Sequence, residues 1–391
     1  MSTDGDRTAL LGLPAVPAGW GYALLKDYLV DGAASYGVVQ PGADDPNGVP
    51  ILRVGNLRDG RIVADTPLRI SPEVERMYAR TRLQGGEVLL SLVGSVGEVS
   101  VVPADYAGWN VARAIAVLRP REPKEAEWLK YCLQAPVAQR RMHVWQTTTV
   151  QATLNLKDVK RLPVVVPPPS EQSSIAAALG ALDDRIEAIR HIQELCWQYA
   201  EAAFDREDRN AEDRVPLGSV LDLAYGKGLP ARSRRVGRIP VFGSGGSVGW
   251  HDTALVTGPG VVVGRKGTVG SVQWSQSDFF PIDTTFYVAN AKMPMVYAHQ
   301  LLRSLGLENM NSDSAVPGLN RSAALARIVG VPSESRLTAF RDQVEPLVRL
   351  SEHLRRETAA LGALRDTLLP ELLSGRIRVR DIPNCDEELP A

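Results

Sequence analysis

The chain has little of what disulfide-bonded, metal-binding or membrane-spanning proteins require. Only three of its 391 residues are cysteines, and Cys132, Cys196 and Cys385 are too far apart to indicate a disulfide framework or a cysteine-rich metal site. The five histidines show no metal-ligand spacing. No apolar run reaches the roughly 18 residues of a membrane span, and no basic stretch followed by an apolar core marks a signal peptide. These absences favour a globular protein of the cytoplasm without a membrane partner.

Catalytic motifs are also missing. The glycine-rich stretch 243–249 resembles a nucleotide loop, but Val248 stands where the last glycine is needed. The stretch 264–268 resembles a phosphate loop, but Gly267 interrupts the required Gly-Lys-Ser/Thr order. Neither Asn-Pro-Pro-Tyr nor Asp-Pro-Pro-Tyr, the loop of amino-methyltransferases, occurs. We therefore predict no catalytic residue, no metal and no cofactor in this chain, and interpret both stretches as β-turns.

What the chain does contain is an internal repeat. The stretch 85–99, with its Gly-Ser-Val-Gly turn, returns as 258–272. Val-Pro-Ile-Leu at 49–52 pairs with Ile-Pro-Val-Phe at 239–242, and Leu-Asn at 154–155 pairs with Leu-Asn at 319–320. The order of the three anchors is the same, so the chain carries two copies of one module. Short β-like runs broken by Gly, Pro, Asn and Asp indicate that each copy is largely sheet.

A long helical pattern follows each copy. The first starts at Ser170, a plausible N-cap after the proline stretch 167–169, and the second near Ser333-Glu334, with Pro346 predicting a kink or a broken turn and Gly375 a stop. Both show heptad-like seams. The first seam is Ile175, Leu179, Leu182, Ile186 and Ile189, continuing less cleanly through Ile192, Leu195 and Tyr199; the second is Leu337, Phe340, Val344, Leu347, Leu350, Leu354, Leu361, Leu364, Leu368 and Leu372.

Because isolated helices gain their stability from packing, we expect the two seams to pack on each other as an antiparallel coiled coil, with the copies at its opposite ends. The alternative is that each helix packs on its own domain. The predicted class is α+β, with domains at 13–169 and 211–332, helices at 170–210 and 333–375, and a tail at 376–391.

Local charge points to nucleic acid although the net charge is −1. Between Leu223 and Ser277 there is one acid, Asp252, against seven basic residues, although a solvated surface stretch would look the same. Arg and Lys read guanine, Asn and Gln read adenine, and Ser or Thr adapt to either. The candidate DNA-binding residues are Arg53, Asn56, Ser91, Ser95, Arg113, Gln146, Thr147, Thr148 and Gln151 in the first copy, and Arg234, Arg235, Ser244, Arg265, Lys266 and Thr268 in the second.

These motifs together resemble the specificity subunit of type I restriction-modification systems. In the first half the resemblance rests on 49–57, the Gly-Ser-Val-Gly turn, 153–158 and 162–172; in the second it rests on 239–246, 264–270, 281–285 and the closing 364–375. It covers nearly the whole chain.

The resemblance implies two target recognition domains that each read one half of a split DNA sequence. The two helices between them would act as a ruler and dock two methyltransferase subunits, which bind S-adenosylmethionine and methylate adenine at N6. A restriction (motor-nuclease) subunit that uses ATP with Mg²⁺ would join them, and the specificity subunit itself would hold no catalytic site. The competing classes are a stand-alone methyltransferase-nuclease, which needs motifs absent here, and a DNA-binding scaffold without a methyltransferase partner.

Overall fold

A computed structural model describes residues 12–148, 152–211, 213–310 and 318–381. The chain divides into two compact units. Unit 1 joins Met1–Arg185 with Leu361–Ala391, and unit 2 is Ile186–Ala360. Both boundaries between the units fall inside long helices, so each unit contains one sheet-rich module and one portion of each helix.

Unit 1 is built on two sheets. An antiparallel sheet has the order β2-β10-β7-β8, and a second has the order β6-β3-β9, in which β3 and β9 run parallel. The strands are β1 (Gly21–Leu24), β2 (Leu29–Tyr36), β3 (Val49–Leu52), β4 (Leu57–Arg58), β5 (Arg61–Ile62), β6 (Leu68–Ile70), β7 (Val88–Ser91), β8 (Val99–Val101), β9 (Asn110–Val111), β10 (Ile115–Pro120), β11 (Thr147–Thr148), β12 (Ala152–Thr153) and β13 (Pro163–Val166). The module is closed by β1 pairing with β13.

Four helices lie between these strands, namely α1 (Pro72–Met77), α2 (Glu125–Gln134), α3 (Pro136–Trp145) and α4 (Leu156–Val159). Helix α2 is almost entirely buried, and its Trp128 donates from the indole nitrogen to the Val165 carbonyl at 3.2 Å. The core of unit 1 packs this helix against the four-stranded sheet and against the long helices through Leu179 and Leu372. The long helices therefore contribute part of the core of the module.

Unit 2 repeats the same topology. Its sheets have the orders β15-β21-β18-β19 and β17-β16-β20, again with one parallel pair, β16 and β20, and β14 pairs with β22. The strands are β14 (Asp213–Pro216), β15 (Leu221–Tyr225), β16 (Ile239–Gly243), β17 (Gly246–His251), β18 (Gly260–Gly264), β19 (Val272–Ser275), β20 (Phe280–Pro281), β21 (Thr285–Ala291) and β22 (Ile328–Val331). The long helices are α5 (Pro169–Arg209) and α8 (Glu334–Ser374), and the short ones of unit 2 are α6 (Met295–Ser304) and α7 (Arg321–Leu325).

The duplication and the α+β class predicted from the sequence are confirmed by the matching sheets, although the pairs β4-β5 and β11-β12 of unit 1 have no counterpart among the described strands of unit 2. Strands β3 and β16 hold the same central place in their three-stranded sheets, and β7 and β18 hold the same place in their four-stranded sheets. The units differ in their helices. In unit 1 the strand β10 is followed by α2 and α3, whereas in unit 2 the equivalent strand β21 is followed by α6.

The two long helices run antiparallel within each unit. In unit 2, the Gln193 amide donates to the Ser351 carbonyl at 3.1 Å, and Arg336 donates to Glu207 at 2.8 Å. A later residue of α5 therefore contacts an earlier residue of α8, as in an antiparallel pair. In unit 1, Asp183 of α5 accepts from Arg365 of α8 at 3.0 Å. The predicted antiparallel pairing is confirmed by these contacts.

The seams differ in detail from a strict heptad. Leu179, Ile186, Ile189, Phe340, Val344 and Leu354 are buried, while Leu182, Leu347, Leu361 and Leu368 are half-buried. The expected continuation is wrong at Ile192, Leu195, Tyr199, Leu350 and Leu364, which are exposed. Cys196, Ala200, Val348, Ser351 and Leu369 are buried instead. A straight helix has 3.6 residues per turn, so its inner face drifts away from a repeat of 3.5.

The limits of the long helices agree with the sequence-based predictions, except for the effects of Pro169 and Pro346. Helix α5 begins at Pro169 rather than Ser170, because a proline in the first turn loses only an N–H that has no helical acceptor. The broken turn expected at Pro346 is absent, because α8 continues through this residue as one helix. Pro346 is exposed, and both Val344 and Val348 are buried. Gly375 ends α8 with φ +69, as predicted.

Candidate nucleic-acid interface

A glycine turn joins a central strand of the four-stranded sheet to the neighbouring edge strand in each unit. It links β7 to β8 in unit 1 and β18 to β19 in unit 2. Gly97 has φ +99 and Gly270 has φ +74, a region that L side chains rarely adopt. A Cβ atom at position 97 would lie 2.6 Å from Oε1 of Gln139, and one at position 270 would lie 2.2 Å from the Glu308 nitrogen. Only glycine fits, so the repeated motif positions a loop.

In unit 1 the loops beside this turn carry two exposed arginines. Strands β3 and β9 run parallel and end together at Leu52 and Val111. Arg53 directly follows Leu52, Arg113 lies two residues after Val111, and both arginines are exposed. The Leu92 nitrogen donates to the Ala114 carbonyl at 2.7 Å, which fixes the glycine turn beside Arg113. The sequence-predicted residues Arg53, Arg113 and Ser95 therefore lie on one loop edge.

The corresponding edge of unit 2 has an equivalent backbone arrangement but different side chains. The Arg265 nitrogen donates to the Thr284 carbonyl at 2.9 Å, as Leu92 does to Ala114 in unit 1. Asp283 thus takes the place of Arg113, and Arg265 takes that of Leu92. Lys266 and Thr268 are exposed at the tip, and the Thr268 nitrogen donates to Ser244 Oγ at 3.3 Å, which joins this turn to the β16–β17 turn.

Three of the predicted readers form hydrogen bonds within the protein, and their DNA contacts stay predictions. Ser91 is fully buried and accepts from the Glu98 nitrogen at 2.8 Å. The Asn56 amide accepts from the Arg53 nitrogen at 2.8 Å and donates to the Val63 carbonyl at 2.8 Å. Arg265 donates to the Asp283 carbonyl at 2.6 Å, and its guanidinium lies 5.4 Å from the centre of the Tyr225 ring. These side chains shape the loops that present Arg53, Lys266 and Thr268.

Arg234 and Arg235 lie away from the glycine turn, near the other end of the β16–β17 hairpin. Arg235 forms an ion pair with Asp252, with Nε 2.7 Å from Oδ2, and this hydrogen bond holds the pKa of the Asp252 carboxyl below its ordinary value. Arg234 is half-buried and donates to the Val248 carbonyl. The only acid of the basic stretch is therefore neutralised.

The remaining candidates of unit 1 follow helix α3. Gln146 is half-buried directly after the helix, and Thr147 and Thr148 form β11, which pairs with β12. Gln151 lies outside the described residues. The proposed contacts of this segment stay predictions.

Sequence reasoning missed two exposed aromatic residues of unit 2, because it searched for polar readers. Tyr225 ends β15 with 56% of its surface exposed, and Trp250 in β17 is 55% exposed. A tryptophan within a basic, glycine-rich stretch was the available signal, since aromatic rings commonly contact nucleic acid beside cations.

In the part of the chain that the structure describes, no group of three His, Cys, Asp or Glu side chains is placed to hold a metal ion. None of its helices combines the length and apolarity needed to cross a membrane. The exposed cations and hydroxyls on shaped loops are groups that bind phosphates and base edges.

Comparison with known proteins finds similarity to type I restriction-modification specificity proteins. A family model described as "Type I restriction modification DNA specificity domain" matches residues 43–195. The type I restriction enzyme EcoBI specificity subunit of Escherichia coli is 29% identical over 223 residues, which are 56% of this chain and 44% of that protein. The alignment thus spans less than half of this curated relative.

A solved structure extends the likeness to both units. The crystal structure of a type I restriction-modification S subunit from M. genitalium covers 93% of this chain and 98% of its own, with a TM-score of 0.58 and 18% identity. At that identity the match shows a common fold. The resemblance inferred from the motifs is confirmed by the sequence matches together with this fold.

Proposed function

We propose, from the premise that residues 43–195 form a type I restriction modification DNA specificity domain, that this chain is the sequence-specificity subunit of a type I restriction-modification complex. Each unit reads one half of a bipartite DNA target. The observation that carries the proposal is the repeated topology of the two units, in which exposed Arg53 and Arg113 lie on loops beside the glycine turn of unit 1 and exposed Lys266 and Thr268 lie on that of unit 2.

Different side chains on one scaffold are what two different half-sites require. Base identity is read by side chains, whereas backbone turns and phosphate contacts fix register. The change from Arg113 to Asp283 lies beside a backbone hydrogen bond that both units retain. The two units therefore read different bases from equivalent loops.

The antiparallel helices α5 and α8 have two proposed roles. They fix the gap between the half-sites at about one turn of DNA, on the order of 10 base pairs centre to centre. They also dock two methyltransferase subunits that bind S-adenosylmethionine, and the exposed apolar row Ile192, Leu195 and Tyr199 of α5 supplies a surface for such contacts. A restriction subunit that uses ATP completes the nuclease.

The chain itself is proposed to be non-catalytic. We expect the purified chain to transfer no methyl group and to cleave no DNA. Methyl transfer from S-adenosylmethionine by the pure chain, free of other proteins, would contradict this.

The deciding experiment isolates the tagged chain from its host and maps methylated adenines with and without its gene. We expect a bound methyltransferase, and loss of methylation at one bipartite sequence when the gene is deleted. An unchanged methylome with no bound methyltransferase would instead indicate a DNA-binding scaffold that acts alone.

A further inference from the structure

An apolar pocket of about 300 Å³ opens at the surface of unit 1. Its walls come from the amino-terminal segment, β1, the turn between α2 and α3, β13 and the end of α8, all of which belong to this unit. Three prolines, Pro136, Pro163 and Pro370, stand in these walls. The proline ring fixes the backbone φ angle at each of them, so the walls keep a fixed shape. A pocket that is formed before binding loses little entropy when it is filled.

The floor of this pocket is apolar and uncharged. Cys132, Val165 and Leu373 line it and are buried. Burial raises the pKa of the Cys132 thiol to about 12, so the thiol stays protonated at neutral pH. The volume lies at the lower end of the range of roughly 300–1,000 Å³ found for ligand sites. A floor of this kind accepts one bulky apolar side chain, as the anchor pockets of protein interfaces do.

The rim of the pocket is positively charged. Arg140 of α3 is exposed at the rim and forms no ion pair with any residue that the structure describes, whereas the second arginine there, Arg376, is paired with Glu371. The sequence around α3 contains no acid between Trp128 and Lys157. The field at the pocket mouth therefore favours a negatively charged group.

The pocket lies on the side of α3 that faces away from the glycine turn. The Gln139 amide donates to the Gly97 carbonyl at 2.9 Å, so the Gln139 side of α3 faces that turn. Val137, which lines the pocket, comes two residues earlier, and at 3.6 residues per turn the two side chains leave the helix about 160° apart. This separation favours a protein as the occupant over the DNA duplex that the loops beside the turn would contact.

The pocket is also specific to unit 1, because α3 is an addition to that unit. Helix α2 is followed by α3 and α4 before β13, whereas among the described residues of unit 2 α6 is followed by α7 alone before β22. Pro136, Val137 and Arg140 belong to α3, so this wall of the pocket has no counterpart in the described part of unit 2. The duplicated fold therefore does not require the pocket.

We infer that this pocket is a docking site for a partner protein, which inserts a bulky apolar side chain from a segment rich in Asp or Glu. The floor holds the apolar side chain, and Arg140 holds a neighbouring carboxylate, which a guanidinium can bind through two parallel hydrogen bonds. The inference goes beyond the proposed function, in which both units read DNA and the long helices dock the methyltransferases. It places one further protein contact on unit 1 alone, beside the first half-site.

The test selects binders for the full chain from a displayed library of random peptides. We expect the enriched peptides to combine a large apolar residue with at least one acid. Arg140→Glu should bind them about tenfold more weakly or worse, because like charges then face each other. Val137→Trp, which fills the pocket, should abolish binding. Unfolding midpoints establish that both variants are folded.

Two exposed neighbours on α1 supply matched controls outside the pocket. The Arg76 side chain is 70% exposed and Met77 is 72% exposed. Arg76→Glu and Met77→Trp repeat the same two changes, and both variants should bind the peptides as the wild type does. Enriched peptides without acids, or peptides that Arg140→Glu binds as well as the wild type does, would overturn the inference.

A photo-cross-linking residue at position 140 of the full chain, expressed in its host, tests the occupant. A cross-link to an acid-rich segment of another protein, lost when Val137→Trp is added, supports the inference. The absence of such a cross-link, or cross-links to DNA or to residues 382–391 of the chain itself, would show that it is wrong. Adenine methylation maps measure base reading separately, so the proposed function stands or fails on its own.

Discussion

Asp183 and Arg365, 182 positions apart in the chain, form an ion pair with 3.0 Å between Oδ1 and Nη1. The other oxygen of Asp183 accepts from Lys130 Nζ at 3.0 Å and from the Tyr131 hydroxyl at 2.9 Å. Burial alone would raise the pKa of Asp183, but Lys130 and Arg365 outweigh it and hold that pKa below its ordinary value. One carboxylate thus ties α2 of the module to both long helices.

Replacing that carboxylate should destabilise unit 1. Asp183→Ala leaves Lys130 and Arg365, both largely buried, without their shared partner. We expect a loss of about 1–3 kcal/mol in the free energy of unfolding, because hydrogen bonds to a charged group are lost while Lys130 and Arg365 keep Glu127 and Asp366 as partners. Asp366→Ala removes an acid that is 67% exposed and also pairs with Arg365, and it should cost less than about 1 kcal/mol. Urea unfolding measures both, and equal losses would contradict a central role for Asp183.

The seam between the long helices can be tested at a buried and an exposed position of α8. Val344 is fully buried, and Val344→Asp should cost several kcal/mol because the charge has no partner there. Leu350 is 42% exposed, so Leu350→Asp should change stability by no more than about 0.5 kcal/mol. Thermal and urea unfolding of the two variants give the comparison. Similar effects would mean that the inner face is misassigned.

His299 should make the free energy of unfolding depend on pH. It is buried between Trp197 and Trp274, with ring centres 5.0 and 5.8 Å away, and burial, with a smaller contribution from Arg303, lowers its pKa to about 3. The unfolded chain takes up this proton near pH 6.5. The stabilisation is therefore complete above pH 6.5 and is lost as pH falls toward 3, with a slope of at most about 1.4 kcal/mol per pH unit.

Urea unfolding between pH 7 and pH 4 compares the wild type with His299→Gln, which should lack this part of the slope. His353 is exposed on α8, and His353→Gln should keep it. A wild-type slope that survives in His299→Gln would assign the acid sensitivity to other groups.

Lys266 and Arg265 should affect DNA binding differently although they are neighbours. Lys266 is exposed, so Lys266→Ala should weaken binding to all sequences and reduce the slope of log K against log salt by roughly 0.9 for one lost phosphate contact. If Lys266 reads guanine instead, preference should fall at a single base pair. Arg265→Ala removes the bond to the Asp283 carbonyl and should lower stability as well.

Salt-titrated binding and adenine methylation maps distinguish these outcomes. The half-site read by unit 1 should stay unchanged in both variants. Altered bases in that half-site would show that the two units do not read independently.

Much of this fold could be predicted because the chain repeats itself. The anchors at Pro50 and Pro240, and the glycines of the repeated turn, mark positions where backbone geometry restricts the residue, and such restrictions are visible in sequence. The heptad pattern located both helices for the same reason. It failed at Leu350 and Leu364 because a pattern of 3.5 residues does not follow the true helical period over 41 residues.

The candidate site was less predictable, since the role of a polar side chain depends on what folds against it. Ser91 and Lys266 look equally suited to bind DNA in the sequence, yet one is buried under its own turn and the other is exposed. Asp183 pairs with Arg365, which lies 182 residues away in the chain, and no local sequence pattern predicts that contact. The exposure of Trp250 could not be read from the sequence either, because it depends on the fold around the residue.

The division of the chain between its units has a consequence for synthesis on the ribosome. Unit 2 is continuous, but the core of unit 1 needs Leu369, Leu372 and Leu373 from α8. At roughly 5–20 residues per second, about 9–38 s pass between the synthesis of residue 185 and the synthesis of those leucines. The first module to be translated is therefore the last to be completed, and the apolar surface that those leucines cover stays open during that interval.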